Sequence, residues 1–342
     1  MDTLIISDFG VFLGKHSERL VVRKGGDTVE EHPLLDLEHV LVTGAGVSVS
    51  SDLIRECCDR GICITFLTRS GKPYAKVVSP ALTATVRTRR EQIAALGDSR
   101  GVTVAKAIAL GKLRNQANLL RYFAKYRKES DPASFEAITE RAAEIMRLEQ
   151  KLRALSGESA DDLRQDILNV EGRAGAAYWE GVRAILGDKA EFDRREHRGA
   201  GDPVNSMLNY GYGILYSQVW SAVTLAGLEP FAGFIHTDRP GKPSLVLDLV
   251  EEFRQPVVDR ALLAAIGRGF KIEMERADAG EDARLSEKTR KEIAERVLER
   301  LESKVNYEGK KWAFASVIQM QCRRLASFLR GEGDYKPFVS GW

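Results

Sequence analysis

The sequence predicts an α+β multi-domain protein, with a small N-terminal β-sheet or sandwich domain followed by a large all-helical domain. Three observations predict it. Up to Pro80, short runs of β-branched and apolar residues alternate with turn signals. From Thr83 onward the apolar period is near 3.6 rather than 2. The hydrophobic fraction of 44% and charged fraction of 29% are those of a globular chain, which excludes wholesale disorder. The boundary therefore falls between residues 1–80 and 81–342.

In the first part the expected strands are Thr3–Ile6, Arg19–Arg23, Thr28–Glu31, His39–Thr43 and Ile62–Leu67. One helix interrupts them: Ser50, Ser51 and Asp52 cap Leu53–Asp59, and Gly61 ends it. In the second part the expected helices are Thr85–Leu96, Val102–Tyr126, Phe135–Leu155, Ala160–Leu186, Val204–Leu225, Leu245–Arg254, Val257–Ile266, Ser286–Glu302 and Lys311–Arg330. Asp131-Pro132, Gly187-Asp188 and Asp202-Pro203 supply breaks, and Phe270–Met274 reads as a small strand or hairpin.

Composition narrows the function only by exclusion. No run of 18 apolar residues exists, so no membrane span is expected, and the acidic start MDTLIISDFG is unlike a signal peptide; a cytoplasmic location is the expectation. Cys57, Cys58, Cys63 and Cys322 form no CxxC pair and no zinc spacing, so they read as reduced thiols. Net charge is +2; residues 1–80 carry nine basic and eleven acidic residues, so any nucleic-acid binding must come from local patches.

Glu171 is the first anomaly. It falls in the apolar row Leu163, Ile167, Ala174, Tyr178, Val182 and Ile185 of a 3.6-period helix. A carboxylate there is paired, protonated or bound to a metal. The partner in the first case is an Arg such as Arg173 or one from another helix. The small residues after it, Gly172, Ala174, Gly175, Ala176 and Ala177, invite close approach by a helix or ligand. His236 is the second anomaly, ending an apolar stretch and opening a turn-rich loop; it reads as a structural hydrogen-bonder or as a ligand. Asp248 lies inside the apolar run Leu245–Val250 and shares a helix face with Glu251, while Glu251 and Glu252 taken alone also fit a solvated face. One imidazole with two or three carboxylates suits Mg²⁺ or Mn²⁺ and phosphodiester chemistry.

Basic clusters on long helices supply candidate DNA contacts. They are Arg87, Arg89 and Arg90; Lys106, Lys112, Arg114, Arg121, Lys125, Arg127 and Lys128; Arg194, Arg195 and Arg198; and Arg323, Arg324 and Arg330. Tyr210, Tyr212 and Tyr216 are candidate stacking platforms, although a solvated surface accounts equally for most of these positions taken singly.

Several of these stretches, in order, resemble motifs of the CRISPR-associated integrase and endonuclease of the adaptation module, the first Cas protein. They are Glu171-Gly172-Arg173 through Tyr178-Trp179, Asp202-Pro203-Val204-Asn205 with Leu208, Tyr212 and Tyr216, Gly233–Thr237, Ser244–Pro256, and Tyr335-Lys336-Pro337-Phe338. The resemblance covers essentially the whole chain. It implies a metal site on Glu171, His236 and Glu251, with Asp248 a further acid beside it in the catalytic set. It also implies Mg²⁺ or Mn²⁺ as cofactor and insertion of foreign double-stranded DNA fragments as spacers into a CRISPR array by 3′-OH attack on a repeat phosphodiester. Water in place of that hydroxyl gives endonuclease cutting of branched DNA. A homodimer through the β domain and a small ferredoxin-like second Cas protein are the implied partners. Arg173, Arg194, Arg195, Asn205, Tyr212, Arg254 and Arg323 are the DNA-binding candidates. A purely hydrolytic nuclease and a non-catalytic DNA-binding scaffold are the competing expectations.

Overall fold

A computed structural model describes residues 2–79, 86–196, 202–275 and 283–341. The strands are β1 (Asp2–Ile6), β2 (Phe12–His16), β3 (Arg19–Lys24), β4 (Asp27–Pro33), β5 (Leu37–Val42) and β6 (Ser48–Val49); helix α1 (Ser51–Arg60) then leads to β7 (Cys63–Leu67) and β8 (Pro73–Val77). They form two four-stranded sheets, ordered β1-β5-β7-β8 and β4-β3-β2-β6. β1, β5 and β7 run parallel and β8 closes the edge antiparallel. Both sheets and α1 share one core, built from Leu4, Leu13, Leu20, Val40, Leu53 and Ile64 among others. α1 starts where Ser50 accepts a hydrogen bond from the Leu53 N–H and stops at Gly61, whose φ of 73° a side chain would resist.

The expected β-then-helical order holds. β2, β6 and β8 escape a sequence pattern because Gly14, the two-residue length of β6, and Pro73 with Lys76 break apolar alternation.

The helices are α2 (Val86–Ala95), α3 (Ser99–Ala124), α4 (Pro132–Ala154), α5 (Ala160–Leu186) and α6 (Pro203–Leu225), then α7 (Ser244–Val250) and α8 (Arg260–Gly267). The hairpin β9 (Met274–Glu275) with β10 (Arg284–Leu285) precedes α9 (Glu287–Glu302); β11 (Lys304–Tyr307) pairs with β12 (Lys310–Ala313) before α10 (Phe314–Leu329). The second part is therefore not all-helical. The helix expected from Lys311 starts at Phe314, because Lys310–Ala313 pair as a strand around a turn in which Gly309 has φ 79°. The stretch 245–266 also differs from two plain helices: α7 ends at Val250, and Arg254–Asp259 form a π-helical turn before α8. Of the expected strand Phe270–Met274 only Met274 is in a strand, β9. Arg198 and Thr85 lie outside the described residues.

α3, α4 and α5 pack on one another, and α6 lies at the centre of the helical core, buried over most of its length. That core reaches Leu41 and Leu67 of the first sheet. A polar seam completes the contact: buried His39 on β5 bonds Thr65 at 2.8 Å and Gln218 of α6 at 3.4 Å, and Lys76 donates to Ser221 of α6 at 2.7 Å. The last segment, residues 331–341, has no regular structure but is held tightly, with Tyr335, Phe338 and Ser340 buried.

Candidate metal and active site

Three elements bring the anomalous acids together. α5 carries Glu171, the loop after α6 carries His236, and α7 with the turn after it carries Asp248 and Glu251. Glu171 and Glu251 are almost fully buried, at 6% and 3% exposure. The partner of Glu171 is not Arg173, which is exposed, but Lys112 of α3. The Lys112 ammonium lies 3.7 Å from Glu171 Oε1 and 3.1 Å from Glu251 Oε2. Apart from Lys112, neither of those oxygens has a hydrogen-bond donor. Arg254 Nη1 approaches the other oxygen of Glu251 at 3.1 Å. Burial pushes the Glu251 carboxyl up, but Arg254 and Lys112 overcome it and hold the group down at about 2. Glu171 goes the other way: burial raises its pKa and the Glu251 and Asp248 charges add to that, against the pull of Lys112 and His236. Burial alone would lower the Lys112 ammonium, but Glu171 and Glu251 outweigh it and raise the group.

Asp248 is fully buried and accepts from four donors. The Phe234 and Ile235 N–H groups reach Oδ2; the His236 N–H, at 3.0 Å, and His236 Nδ1, at 2.7 Å, reach Oδ1. The loop can wrap so closely because residue 233 is Gly; a Cβ there would stand 2.8 Å from Asp248 Oδ2 and 2.6 Å from the Ser244 carbonyl carbon. Asp248 thus holds the imidazole by Nδ1 and leaves Nε2 as the available ring nitrogen, the arrangement by which carboxylates orient histidine ligands.

The donor set fits a hard divalent ion: two buried carboxylates with unsatisfied oxygens and a carboxylate-oriented imidazole. Among the described residues, however, no three His, Cys, Asp or Glu side chains are gathered in a form that would hold an ion as they stand. Within the small-residue stretch of α5, Ala174 and Ala177 are buried in the helical core, whereas a Cβ added at Gly172 or Gly175 would meet no atom within 4 Å; further along, Gly181 lies against Leu120 of α3.

Beside the acids runs a groove of about 1620 Å³ between β8, the 68–72 turn, α6, the 239–243 loop and β10. Arg69, Lys72, Lys76, Arg239, Lys242, Arg254 and Arg284 line it, with Tyr74, Tyr212, Tyr216 and Trp220, and among the described residues no Asp or Glu does. Arg254 links groove to acids. Its guanidinium stacks 4.8 Å over the Tyr212 ring, whose hydroxyl donates to buried Asp259. Tyr178 donates to the other Asp259 oxygen at 2.6 Å, yet burial still lifts that carboxyl to about 6.

The sequence-derived DNA candidates separate here. Arg254 and Tyr212 line the groove; Arg173 and Arg194 are exposed elsewhere. Arg195 bonds Asn205 and Asn209 and stacks over Trp179 and Tyr212. Asn205 is buried, with its amide engaged by Asp202, Arg194, Arg195 and Glu196, which fixes the entry to α6. Arg323 is exposed on α10 in a hollow of mixed charge with Glu308, Glu332 and Asp334. Much of the remaining basic surface has structural work: Lys106 reaches the Arg153 and Leu155 carbonyls, Arg114 pairs with buried Glu149, and Arg127 reaches the Phe123 and Ile185 carbonyls. Sequence reading missed the groove cations outside the expected clusters, and it placed Lys112 among the DNA candidates where the structure pairs it with Glu171 and Glu251. The one available signal was Lys112 standing between Gly111 and the buried pair Asn115 and Gln116 on the α3 core face.

Among the described residues no helix is long and apolar enough to cross a membrane. Comparison with known proteins bears on what such a site belongs to. The chain is similar to CRISPR-associated endonuclease Cas1 1 of Archaeoglobus fulgidus, 37% identical over 346 residues and spanning 99% of both chains. It is 34% identical over 342 residues to the protein of the same name from Francisella tularensis subsp. novicida, covering 100% of each. In fold it resembles a casposase bound to integration product, with TM-score 0.83 and 24% identity over 99% of this chain and 93% of that one. A Cas1 protein from Thermotoga maritima has TM-score 0.79 and 19% identity, over 100% and 99% of the two chains. The family model described as CRISPR associated protein Cas1 matches residues 4–299, and the chain belongs to that family.

Proposed function

We propose that this chain is a metal-dependent DNA endonuclease and integrase that inserts foreign DNA fragments into a CRISPR array. The observation that carries this reading is the pair of buried carboxylates, Glu171 and Glu251, whose facing oxygens have no donor but Lys112, beside a groove whose charged lining among the described residues is entirely basic. Glu171, His236 and Glu251 would hold Mg²⁺ or Mn²⁺, which when bound polarises a phosphoryl oxygen and stabilises the oxygens that attack and leave. The chain's own residues do the rest. Groove cations take the DNA phosphates, and Tyr216 and Trp220 offer flat faces to unpaired bases. Asp248 keeps the His236 ring in one orientation and tautomer, so that Nε2 faces its task without a search. Arg254 holds Glu251 and places a cation where the groove meets the acids. An attacking 3′-OH gives strand transfer and an attacking water gives cutting. Two of the structural neighbours are Cas6-RT-Cas1–Cas2 complexes, which supports a small second Cas protein as partner; a homodimer through the β domain is part of the same proposal.

The test is a labelled duplex with free 3′-OH ends, a plasmid bearing a CRISPR array, and Mn²⁺ or Mg²⁺, with and without the small partner. Joining of label to plasmid is expected. It should fall by at least about 100-fold in E171Q and in H236A, the scale at which metal sites respond even to loss of a supporting partner. Cutting without joining would favour the hydrolytic nuclease. Neither activity from a folded protein, with no ion bound, would favour the scaffold.

A further inference from the structure

We infer that Lys112 is the site's resident cation: its ammonium occupies the gap between Glu171 and Glu251, and uptake of a divalent ion is an exchange of metal for Lys112. The inference rests on the metal reading above and adds the residue that competes with the ion.

Geometry carries it. The two oxygens nearest Lys112 Nζ, at 3.1 and 3.7 Å, are the same two that have no other hydrogen-bond donor. Both belong to buried carboxylates, and Arg254 approaches Glu251 at its other oxygen. An ammonium and a divalent ion held in one buried gap repel each other, so each disfavours the other's occupancy.

Charge points the same way. Lys112 sits between Glu171 and Glu251, and Arg254 already pairs with the other oxygen of Glu251. A divalent ion that enters while Lys112 stays adds its charge beside two buried cations, whereas one that enters as Lys112 leaves takes the place of one of them. Crowding like charges in a buried site is costly, so the exchange is the favoured route. The residue type suits the task as well. An ammonium on four flexible carbons is a compact point charge that can withdraw, whereas a guanidinium would fix itself in a planar fork. Lys112 keeps a side-chain exposure of 16%, so it has a way out towards water.

Mn²⁺ binding to the DNA-free protein tests this, measured by loss of the free-ion electron paramagnetic resonance signal, for the wild type, K112M and K112R. Thermal unfolding would be followed in EDTA and in Mn²⁺. K112M should bind Mn²⁺ at least about 10-fold more tightly, since a charge a few ångströms away no longer opposes it. It should also be less stable than the wild type in EDTA and gain more from Mn²⁺. K112R, which keeps the charge, should bind Mn²⁺ no more tightly than the wild type. A K112M that folds only with Mn²⁺ present supports the exchange; one that folds in neither medium overturns it, because the ion then fails to replace the ammonium. Binding in K112M that is equal to or weaker than the wild type overturns the proposal and leaves the metal reading standing. A wild type that takes up no Mn²⁺ overturns both.

Discussion

A single carboxylate shows how tightly the site is tied to the backbone. Asp248 gathers the Phe234, Ile235 and His236 N–H groups and the His236 ring. D248A would leave three backbone donors without an acceptor, two of them fully buried, in a loop that has no other way to satisfy them. We expect a loss of about 3–5 kcal/mol in chemical denaturation, summed from about 1–3 kcal/mol for each unsatisfied group with partial relaxation. A loss below about 1 kcal/mol would mean that the loop stands without Asp248. At this scale the sequence was partly legible. Glu171 betrayed itself because a charge in an apolar row breaks a regular pattern. Asp248 did so for the same reason. Lys112 did not, because a Lys among other basic residues of α3 looks like surface, and only the position of α5 and α7 shows what it faces.

Among elements, close backbone approaches decide how the two parts of the chain meet. α6 lies against the 68–72 turn so closely that a Cβ on Gly213 would fall 1.7 Å from the Gly71 carbonyl oxygen. Backbone cannot move aside as a side-chain tip can. G213A should therefore cost about 1–3 kcal/mol, the range for overpacking, and should open the groove that the turn and α6 line together. Unchanged thermal stability in G213A would show that the turn is free to retreat. Long helices with steady apolar period, such as α5 and α6, were readable to within a residue or so. The stretch 245–266 was not: its residues are helical by pattern, and the π-helical turn at Arg254–Asp259 arises from where Arg254 and Asp259 must point, towards Glu251 and towards Tyr178 and Tyr212. β11 and β12 were hidden for a related reason, since their four residues each carry little alternation to detect.

For the molecule as a whole, the polar seam at His39 couples the sheet to the helical core. Burial, helped by the Lys76 charge, drives the His39 imidazole down to about 3. In the unfolded chain the same group titrates near 6.5, so the unfolded state binds the proton first as pH falls. Stability from neutral His39 is therefore complete above about pH 6.5 and declines below it, by about 1.4 kcal/mol per pH unit until pH 3 is approached. Denaturation midpoints measured from pH 7.5 to 5 should show this acid limb, and H39Q should flatten it. An equally steep limb in H39Q would assign the loss to other groups. The groove beside the seam was the least legible feature of all: its cations come from β8, two loops, the π-helical turn and β10, scattered along about 200 residues of sequence, and only folding collects them.

The segment behind α10 has a consequence for how the molecule is made. Buried Glu252, next to Glu251, accepts hydrogen bonds from the Tyr335 hydroxyl, the Phe338 N–H and Gln321, and Asn115 of α3 clasps both the Glu252 and Phe338 carbonyls. Tyr335 and Phe338 follow α10, so they leave the ribosome after every helix that builds the site. The turn that presents Glu251 is finished only then. A growing chain with this segment still in the exit tunnel carries a completed sheet domain and groove but an unclasped acid pair. Strand-breaking chemistry would thus wait until the clasp itself has emerged.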